Sequence, residues 1–409
     1  MALQNIIFTE RQGKHMEQTK RIYYFFIAFY AALFMSNAIY GTFLPVYLDN
    51  IGYSKASIGV LMSLGPFVAI IAQPFWGIIS DRSKSKNQIL KILFIASIII
   101  MALHPLSPNF YYLLVIIAIF TFFQAPISPI SDTITLEYLS TTNQQFGPIR
   151  MAGTIGYAVM SIIAGFFAQK YIKSIFALNV LIMGLTFLTV LQLPIVQGHQ
   201  FGKQHVSIMK LFTDKKLVAL MVLNFLVQVT LGFYYTYFPI YFNQLGGNNS
   251  LLGWAYFISA ISEIPFLLCA DRVLRKVRTT TALLFSTLVA SIRWFLISII
   301  GNAYLFLPLQ LLHGLIFIVL YYSMAIYINQ EVPKELKASG QTINTLIGMG
   351  GARITGSLLG GFLSDIYGIK NLFLYSSILS FITVLIFAYI FSTMKKHSEN
   401  ESLTAHEKP

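Results

Sequence analysis

The sequence predicts an all-α, polytopic membrane protein with twelve transmembrane helices arranged as two six-helix bundles. The first observation is composition: of 409 residues, 56% are hydrophobic and 11% charged, and the mean hydropathy is +0.69. Soluble proteins carry about 25% charged residues. The second is a succession of apolar runs of about 20 residues, the length at which an α-helix crosses a bilayer. A transmembrane barrel would instead alternate apolar and polar residues.

The first bundle is predicted over residues 22–195, after a polar cytoplasmic tail at 1–21. Polar or charged turns, such as the one around Asp81, separate its apolar runs. The six spans are expected near residues 22–48, 56–79, 88–106, 109–138, 146–169 and 172–195.

A polar, basic segment at 196–215 breaks the pattern and is predicted to be a cytoplasmic linker. The second bundle is expected over 216–394, followed by a cytoplasmic tail at 395–409. Its six spans fall near residues 216–244, 251–270, 279–300, 303–329, 339–364 and 371–393.

Basic residues are distributed unequally between the two sets of loops. One side holds many of them: Arg82, Lys84, Lys86, Lys203, Lys210, Lys215, Lys216, Arg272, Arg275, Lys276, Arg278, Lys334 and Lys337. The other side holds few: Lys55, Lys170, Lys173 and Lys370. Cytoplasmic loops are the ones enriched in Lys and Arg, so both termini are expected in the cytoplasm of an inner or plasma membrane protein. An even number of spans agrees with this orientation.

The two halves repeat, which is the third observation behind the fold class. Pro45 near the end of span 1 corresponds to Pro239 near the end of span 7, and Gly59 follows Pro45 at the same distance as Gly253 follows Pro239. Asp81-Arg82 follows span 2 and Asp271-Arg272 follows span 8, and we interpret both pairs as gating contacts at the cytoplasmic ends of helices. Parallel repeats of this kind occur in secondary transporters, where substrate binds near the midplane between the halves.

An acid and an arginine lie inside consecutive spans of the first half. A charge at the bilayer centre costs roughly 2.5–3.5 kcal/mol, so such residues usually face an interior cavity and serve a function. Asp132 and Arg150 lie at similar distances from the turn between spans 4 and 5, so their side chains can reach the same depth. They either bind substrate, with Arg150 offering a planar fork of donors, or form an ion pair that locks two helices.

The second half has ionisable residues in four spans. Glu263 lies within the otherwise apolar span 8, and a buried carboxyl can bind a proton near neutral pH. It is a candidate proton carrier or else a permanent partner of a nearby basic group. His313 either joins a proton relay with Arg293, because histidine titrates near physiological pH, or serves only as a buried hydrogen-bonding group. Arg353 needs a partner within the membrane, and a substrate carboxylate or Glu263 are the candidates.

The residues that define other functional classes are not found in the sequence. We find no phosphate-binding loop with Gly-Lys-Ser/Thr, no cluster of metal ligands and no nucleophile with a neighbouring base, so an enzyme, a metal site and a cofactor are not expected. The net charge of +13 resides in short loops between spans and reports orientation, which argues against a nucleic-acid partner.

Several stretches resemble the major facilitator superfamily. They are Pro45, Gln73-Pro74, the Gly77–Arg82 stretch, Phe146-Gly147-x-x-Arg150-Met151-x-Gly153 and Leu311-Leu312-His313. Over essentially the whole chain the sequence is most similar to the lactose-permease-like proton symporters, in the branch with phenylpropionate, nucleoside and sugar symporters. The resemblance implies the major facilitator fold, alternating access and a monomer.

The resemblance also implies roles for individual residues. Asp132 and Arg150 match the acid and arginine that hold sugar hydroxyls, and Tyr157 stands where a tryptophan packs on the sugar ring. Arg293 and His313 match part of the proton-coupling cluster. The sequence departs from the pattern at Ile316, where the family has an acid; Glu263 lies deeper towards the cytoplasm than the family's substrate-binding acid, and Arg353 is displaced by about one turn.

We therefore expect a proton-coupled symporter of a sugar, a nucleoside or an aromatic acid, with substrate bound by Asp132, Arg150, Tyr157, Asn37 and Arg353. Asn37 either lines the cavity or makes an interhelical hydrogen bond. The partners would be the solute, protons and the lipid bilayer. The alternatives are a proton-driven efflux antiporter and a non-transporting receptor or scaffold of the same fold. A scaffold would have no reason to bear the cost of charges in six spans.

Overall fold

The computed structural model describes residues 2–197, 208–333 and 336–406, so part of the predicted linker lies outside the described residues, as do Lys203 and Lys334. Within these ranges the chain is built of helices, sixteen of which are α-helical. Eleven helical segments are long and apolar enough to cross a membrane, and a shorter apolar helix stands at the sixth predicted position, Ser174–Val190. The all-α, membrane-spanning architecture expected from the sequence is confirmed.

The first half contains seven helices in chain order: α1 (Ala2–Asn50), α2 (Lys55–Arg82), α3 (Lys86–Leu103), α4 (Phe110–Gln124), α5 (Ile127–Leu139), α6 (Phe146–Lys170) and α7 (Ser174–Val190). The backbone of α1 is helical throughout, including the predicted tail at 2–21. Predicted span 4 is divided into α4 and α5 at Ala125-Pro126. Proline lacks the amide hydrogen needed for the helix ladder and its ring displaces the preceding turn.

The second half contains α8 (Lys215–Gln244), α9 (Asn249–Ile261), α10 (Ile264–Lys276), α11 (Thr279–Ile299), α12 (Phe306–Leu309), α13 (Phe317–Glu331), α14 (Lys337–Thr345), α15 (Ala352–Tyr367) and α16 (Ile369–His406). Predicted span 8 is interrupted at Ser262-Glu263, directly before Ile264-Pro265 at the start of α10. A 3₁₀ segment at Gln310–Leu315 interrupts predicted span 10, and a π-helical segment at Leu346–Gly351 interrupts predicted span 11. Such departures from the α-helix are often found at functional sites.

Two compact units are distinguished by internal contacts, one formed by Met1–Leu44 with Val68–Gly202 and the other by Pro45–Phe67 with Lys203–Pro409. In unit 1, α3 packs against α4 and α7. Its core contains buried aromatic side chains, among them Phe29, Phe94 and Phe120. In unit 2, α11 packs along α16, and α15 along α8.

Unit 2 includes a contact between residues far apart in sequence. The Asp365 carboxylate, near the end of α15, accepts hydrogen bonds from the backbone amides of Lys55 (3.0 Å) and Ala56 (2.9 Å) at the start of α2. The first amides of a helix have no partner within the helix, and they favour a negative charge. The Tyr237 hydroxyl also lies there, 3.1 Å from the Lys55 carbonyl and 2.7 Å from the Ser357 carbonyl.

The sequence repeat reappears in the turns that end α1 and α8. Gly52 (φ +92°) follows Pro45 by seven residues, and Gly246 (φ +81°) follows Pro239 by seven. A positive φ at the residue after a helix is strained for residues with a side chain and is usually supplied by glycine. Both prolines lie inside continuous helices, so the repeat includes an unbroken helix with an internal proline and a glycine-terminated end.

Many large apolar side chains are exposed. Examples are Ile95 (47%), Leu181 (58%), Phe285 (51%), Phe381 (49%) and Leu385 (56%). Extensive apolar exposure is unusual for a soluble protein. It is the surface expected of helices that face lipid.

Candidate functional site

The acid and arginine of unit 1 are placed by α5 and α6. Asp132 is half-buried and accepts a 2.5 Å hydrogen bond from the hydroxyl of the fully buried Tyr30 on α1. Arg150 is exposed, and its guanidinium carbon lies 4.3 Å from the centroid of the Phe34 ring. Among the described residues, no ion pair within 4.0 Å joins Asp132 to Arg150. In this structure the two side chains are therefore not joined by a direct ion pair.

Two more predicted binding residues of unit 1 take part in interhelical hydrogen bonds. Asn37 Oδ1 on α1 accepts from Gln124 Nε2 on α4 at 3.0 Å, next to the break at Ala125-Pro126. The Tyr157 hydroxyl on α6 lies 3.3 Å from Thr42 Oγ1 on α1. Gln124 was not among the residues singled out from the sequence, although an amide in an apolar span is a signal for such a contact.

A buried histidine in unit 1 also escaped the sequence analysis. His104, at the end of α3, is fully buried and stacks on Phe176 with ring centroids 5.5 Å apart. Its Nε2 is 3.2 Å from the Tyr40 hydroxyl, and its Nδ1 is 3.0 Å from the Ile100 carbonyl. Since Nδ1 faces a carbonyl, it carries the proton, and Nε2 accepts from Tyr40.

The central polar cluster of unit 2 is organised around Arg293 on α11, whose side chain is fully buried. Its Nη2 donates to Gln310 Oε1 at 2.6 Å and to the Tyr234 hydroxyl at 2.9 Å. The Tyr234 hydroxyl donates to the same amide oxygen at 2.7 Å, while Gln310 Nε2 donates to the Phe306 carbonyl at 3.2 Å. Gln310 and Tyr234 thus hold the guanidinium in place, and neither was predicted.

His313 connects this arginine to the acid of predicted span 8. Arg293 Nη1 lies 3.0 Å from His313 Nδ1. Because a guanidinium only donates, Nδ1 must accept and Nε2 carries the proton of the neutral ring. That nitrogen faces the Tyr235 hydroxyl at 3.1 Å and Glu263 Oε1 at 3.6 Å. The sequence-predicted Glu263, His313 and Arg293 are therefore consecutive members of one buried chain.

The helix breaks bring these residues together. The amide of Gly314 donates to Ser262 Oγ at 2.9 Å, so the 3₁₀ segment touches the interruption between α9 and α10. A Cβ atom on Gly314 would lie 2.0 Å from the Ser262 carbonyl oxygen, which makes glycine a requirement of this crossing. Irregular backbone at membrane depth is tolerated only where protein or water satisfies it. Here the Ser262 hydroxyl accepts the hydrogen bond of the Gly314 amide.

Arg353, at the start of α15, lies beside this cluster. Its guanidinium carbon is 4.8 Å from the centroid of the Tyr235 ring, and Tyr235 is also the hydroxyl neighbour of His313. The structure thus gathers the four ionisable residues predicted in the second half within one neighbourhood of unit 2. No group of three or more metal-binding side chains that could hold an ion occurs in the described part of the chain.

The predicted gating residues lie at helix ends. Asp81, at the end of α2, has Oδ1 3.7 Å from the Nζ of Lys86, which is buried and pairs with Glu137 of α5. Arg82 is exposed. In unit 2, Arg272 is exposed on α10, and the side chain of Asp271 lies outside the described part. Lys86, which the sequence analysis counts among the loop cations, and Glu137, near the end of predicted span 4, are the additional members of this site.

Comparisons with known proteins agree with this architecture. The model of the MFS_1 like family matches residues 18–375. The chain is 29% identical over 376 residues to the uncharacterised transporter YwbF of Bacillus subtilis (strain 168), covering 90% of this chain and 92% of that one. It is 23% identical over 366 residues to the maltose permease of Geobacillus stearothermophilus, covering 88% and 92%.

A solved structure shows the same fold. The crystal structure of the nucleoside transporter NupG matches with a TM-score of 0.81 and 17% sequence identity, covering 90% of this chain and 99% of that chain. The relatives are transporters and not enzymes, which agrees with the missing catalytic constellation. The apolar helices make the chain an integral, multi-pass membrane protein. The chain belongs to the MFS_1 like family of the major facilitator superfamily and is a membrane transporter.

Proposed function

We propose that the protein is a proton-coupled symporter of a small organic solute, working by alternating access in the inner or plasma membrane with both termini in the cytoplasm. The observation that carries the proposal is the buried chain of Glu263, His313 and Arg293 in unit 2. A symporter needs a group that binds a proton from one side and releases it to the other, and this chain places a carboxyl beside a neutral imidazole.

Glu263 is the proposed proton carrier. Its side chain is 16% exposed, so most of it is enclosed by protein. Protonation removes its negative charge beside Arg293 and His313, so it changes the electrostatic balance of the whole cluster. Asp132 is the second candidate carrier, since it is also a half-buried acid, held by Tyr30.

Unit 1 supplies the proposed solute-binding groups Asp132, Arg150, Asn37 and Tyr157. They carry both donors and acceptors, which suits hydroxyls or a carboxylate of a solute. Sugar transport by one relative and nucleoside transport by a structural neighbour support a polar organic solute. Driving force would come from the proton gradient. At a membrane potential of about 100 mV, one positive charge moving inward contributes about 2.3 kcal/mol.

The test is the pH of a lightly buffered suspension of de-energised cells that express the protein. Sugars, nucleosides and aromatic acids are added one at a time, and the medium should become alkaline with one class. Glu263→Gln should abolish this response if Glu263 carries the proton, and Asp132→Asn tests the second candidate. Glu331→Gln, the same substitution at an exposed acid of unit 2, is the matched control.

Two results would contradict the proposal. If alkalinisation persists in both Glu263→Gln and Asp132→Asn, neither acid is the carrier. If no compound causes alkalinisation in the wild type, proton-coupled import is wrong, and efflux from preloaded vesicles becomes the measurement for the antiporter alternative.

A further inference from the structure

Arg353 of unit 2 has no ion-pair partner within 4.0 Å among the described residues. Arg353 is half-buried, and its Nε is enclosed without a hydrogen-bond partner among the described residues. None of the ion pairs within the described ranges includes it. Its recorded contact is with the face of the Tyr235 ring, at 4.8 Å from the guanidinium carbon. A ring face attracts a cation and orients the guanidinium plane, but supplies no negative charge.

The helices that pack around Arg353 offer no acid. Its backbone lies against α8: a Cβ atom on Gly232 would stand 2.9 Å from Arg353 Cα. Helix α8 (Lys215–Gln244) and helix α16 pack against α15, and neither α8 nor residues 369–394 of α16 contain an Asp or Glu. The acid of α15 itself, Asp365, is twelve residues further on and is engaged with the amides of Lys55 and Ala56. An arginine within a membrane span almost always has a partner, which this unit does not provide on those helices.

The cluster beside Arg353 has an excess of positive charge. Arg293 and Arg353 carry one positive charge each, Glu263 carries one negative charge, and His313 is neutral because its Nδ1 accepts from Arg293. The sum is +1. A proton on Glu263 raises it to +2, so proton uptake increases the demand for an anion at the same site.

We propose that the transported solute carries a carboxylate and that Arg353 binds it. This rests on the proposed function for the transport step, and it narrows the solute from a polar organic molecule to an organic monoanion. The guanidinium offers two parallel donors that match the two oxygens of a carboxylate. The face of the Tyr235 ring orients the plane of the guanidinium. A proton on Glu263 favours binding of the anion, so binding of the proton and binding of the solute are coupled.

Binding is measured by titration calorimetry on the purified full-length protein in detergent, without a proton gradient. The probes are matched pairs in which a carboxylate is replaced by a neutral group: 3-phenylpropionate with 3-phenylpropionamide, and glucuronate with glucose. We expect the carboxylate member of at least one pair to bind tenfold or more tightly than its neutral partner. Glu263→Gln, which imitates the protonated acid, should bind that carboxylate at least as tightly as the wild type.

Variants of Arg353 test the assignment. Arg353→Gln should weaken the binding of the carboxylate by about 10- to 100-fold, as expected for a lost charge-assisted hydrogen bond. The affinity for the neutral partner compound should change less than about twofold. Arg353→Lys keeps the charge but not the fork, so it should give an intermediate affinity even if Arg353→Gln folds poorly. Arg278→Gln, at an exposed arginine of the same unit, should bind like the wild type.

The inference is overturned if no carboxylate binds better than its neutral partner, or if the preference survives in both Arg353 variants. Because the assay needs no proton movement, its outcome is independent of the alkalinisation experiment. Alkalinisation by glucose or a nucleoside, with no preference for a carboxylate, would support proton symport and contradict the proposed anionic solute. Carboxylate binding through Arg353 without alkalinisation would support the anionic solute and contradict proton symport.

Discussion

Replacing Gly314 by alanine tests whether the crossing of the two helix breaks holds the buried cluster together. The new Cβ would lie 2.0 Å from the carbonyl oxygen of Ser262, 2.4 Å from its carbonyl carbon and 2.9 Å from the amide nitrogen of Glu263. Ordinary contact begins at 3.4 Å, so the backbone must separate by about 1.4 Å (3.4 − 2.0). Backbone atoms cannot rotate away as a side chain would.

The expected loss is about 1–3 kcal/mol of stability, the usual effect of forcing one extra carbon into a packed interior. The separation would also lengthen the distance between Glu263 and His313, now 3.6 Å, so solute-dependent alkalinisation should fall with stability. The loss of stability is measured by thermal unfolding of the purified protein, followed by tryptophan fluorescence. Gly184→Ala in α7 is the control, because no atom lies within 4 Å of its Cβ position.

Alanine at Gly184 should be neutral or stabilising by up to about 1 kcal/mol, since alanine favours a helix interior over glycine. If Gly314→Ala unfolds at the same temperature as Gly184→Ala and keeps full alkalinisation, the crossing does not constrain the cluster as described. An intermediate loss of stability with intact alkalinisation would show that the breaks are structural alone.

Substitutions at three other contacts are tested by thermal unfolding. Asp365→Ala removes the acceptor of two amides at the start of α2 and should cost about 0.5–2 kcal/mol, with Asp365→Asn closer to wild type; equal stability of the alanine variant and the wild type would argue against the cap. Gln310→Met leaves donors of Arg293 and Tyr234 without an acceptor and should cost about 1–3 kcal/mol, whereas a loss below about 0.5 kcal/mol would mean that other groups or water replace the amide. A double-mutant cycle of Lys86→Met with Glu137→Gln should give a coupling free energy of about 1–3 kcal/mol. This lies between the values for exposed and buried ion pairs, because the side chain of Lys86 is 3% exposed and that of Glu137 is 30% exposed. Additive effects of the two substitutions would contradict the ion pair.

The number and order of the spans could be predicted because lipid demands long apolar runs, and those are visible in one sequence. The helix breaks could not. Pro126 and Pro265 accompany interruptions, whereas Pro45 and Pro239 lie inside continuous helices. Whether the chain bends or breaks at a proline depends on which neighbours satisfy the freed backbone groups. At the second break one such neighbour is Gly314, from a part of the chain about fifty residues away.

The candidate site was predictable in its charged residues and not in their supports. Charges such as Glu263 and Arg293 stand out in apolar spans, because their cost requires a reason. Tyr30 and Tyr234 do not stand out among 23 tyrosines, because the local sequence pattern does not distinguish one tyrosine from another. Their roles depend on hydroxyl contacts between helices, which follow from the packing of the folded chain and not from local pattern.

The division of the chain into units has a consequence for fragments of the protein. Residues 45–67, from the C-terminal part of α1 to the first turns of α2, belong to unit 2, although they precede most of unit 1 in sequence. A cut in the connection between the sixth and seventh spans would leave this hairpin on the N-terminal fragment. The C-terminal fragment would then lack the amides that Asp365 binds and the carbonyl that Tyr237 binds. The C-terminal fragment would thus depend on co-synthesis with the N-terminal one, whose residues 45–67 complete its packing.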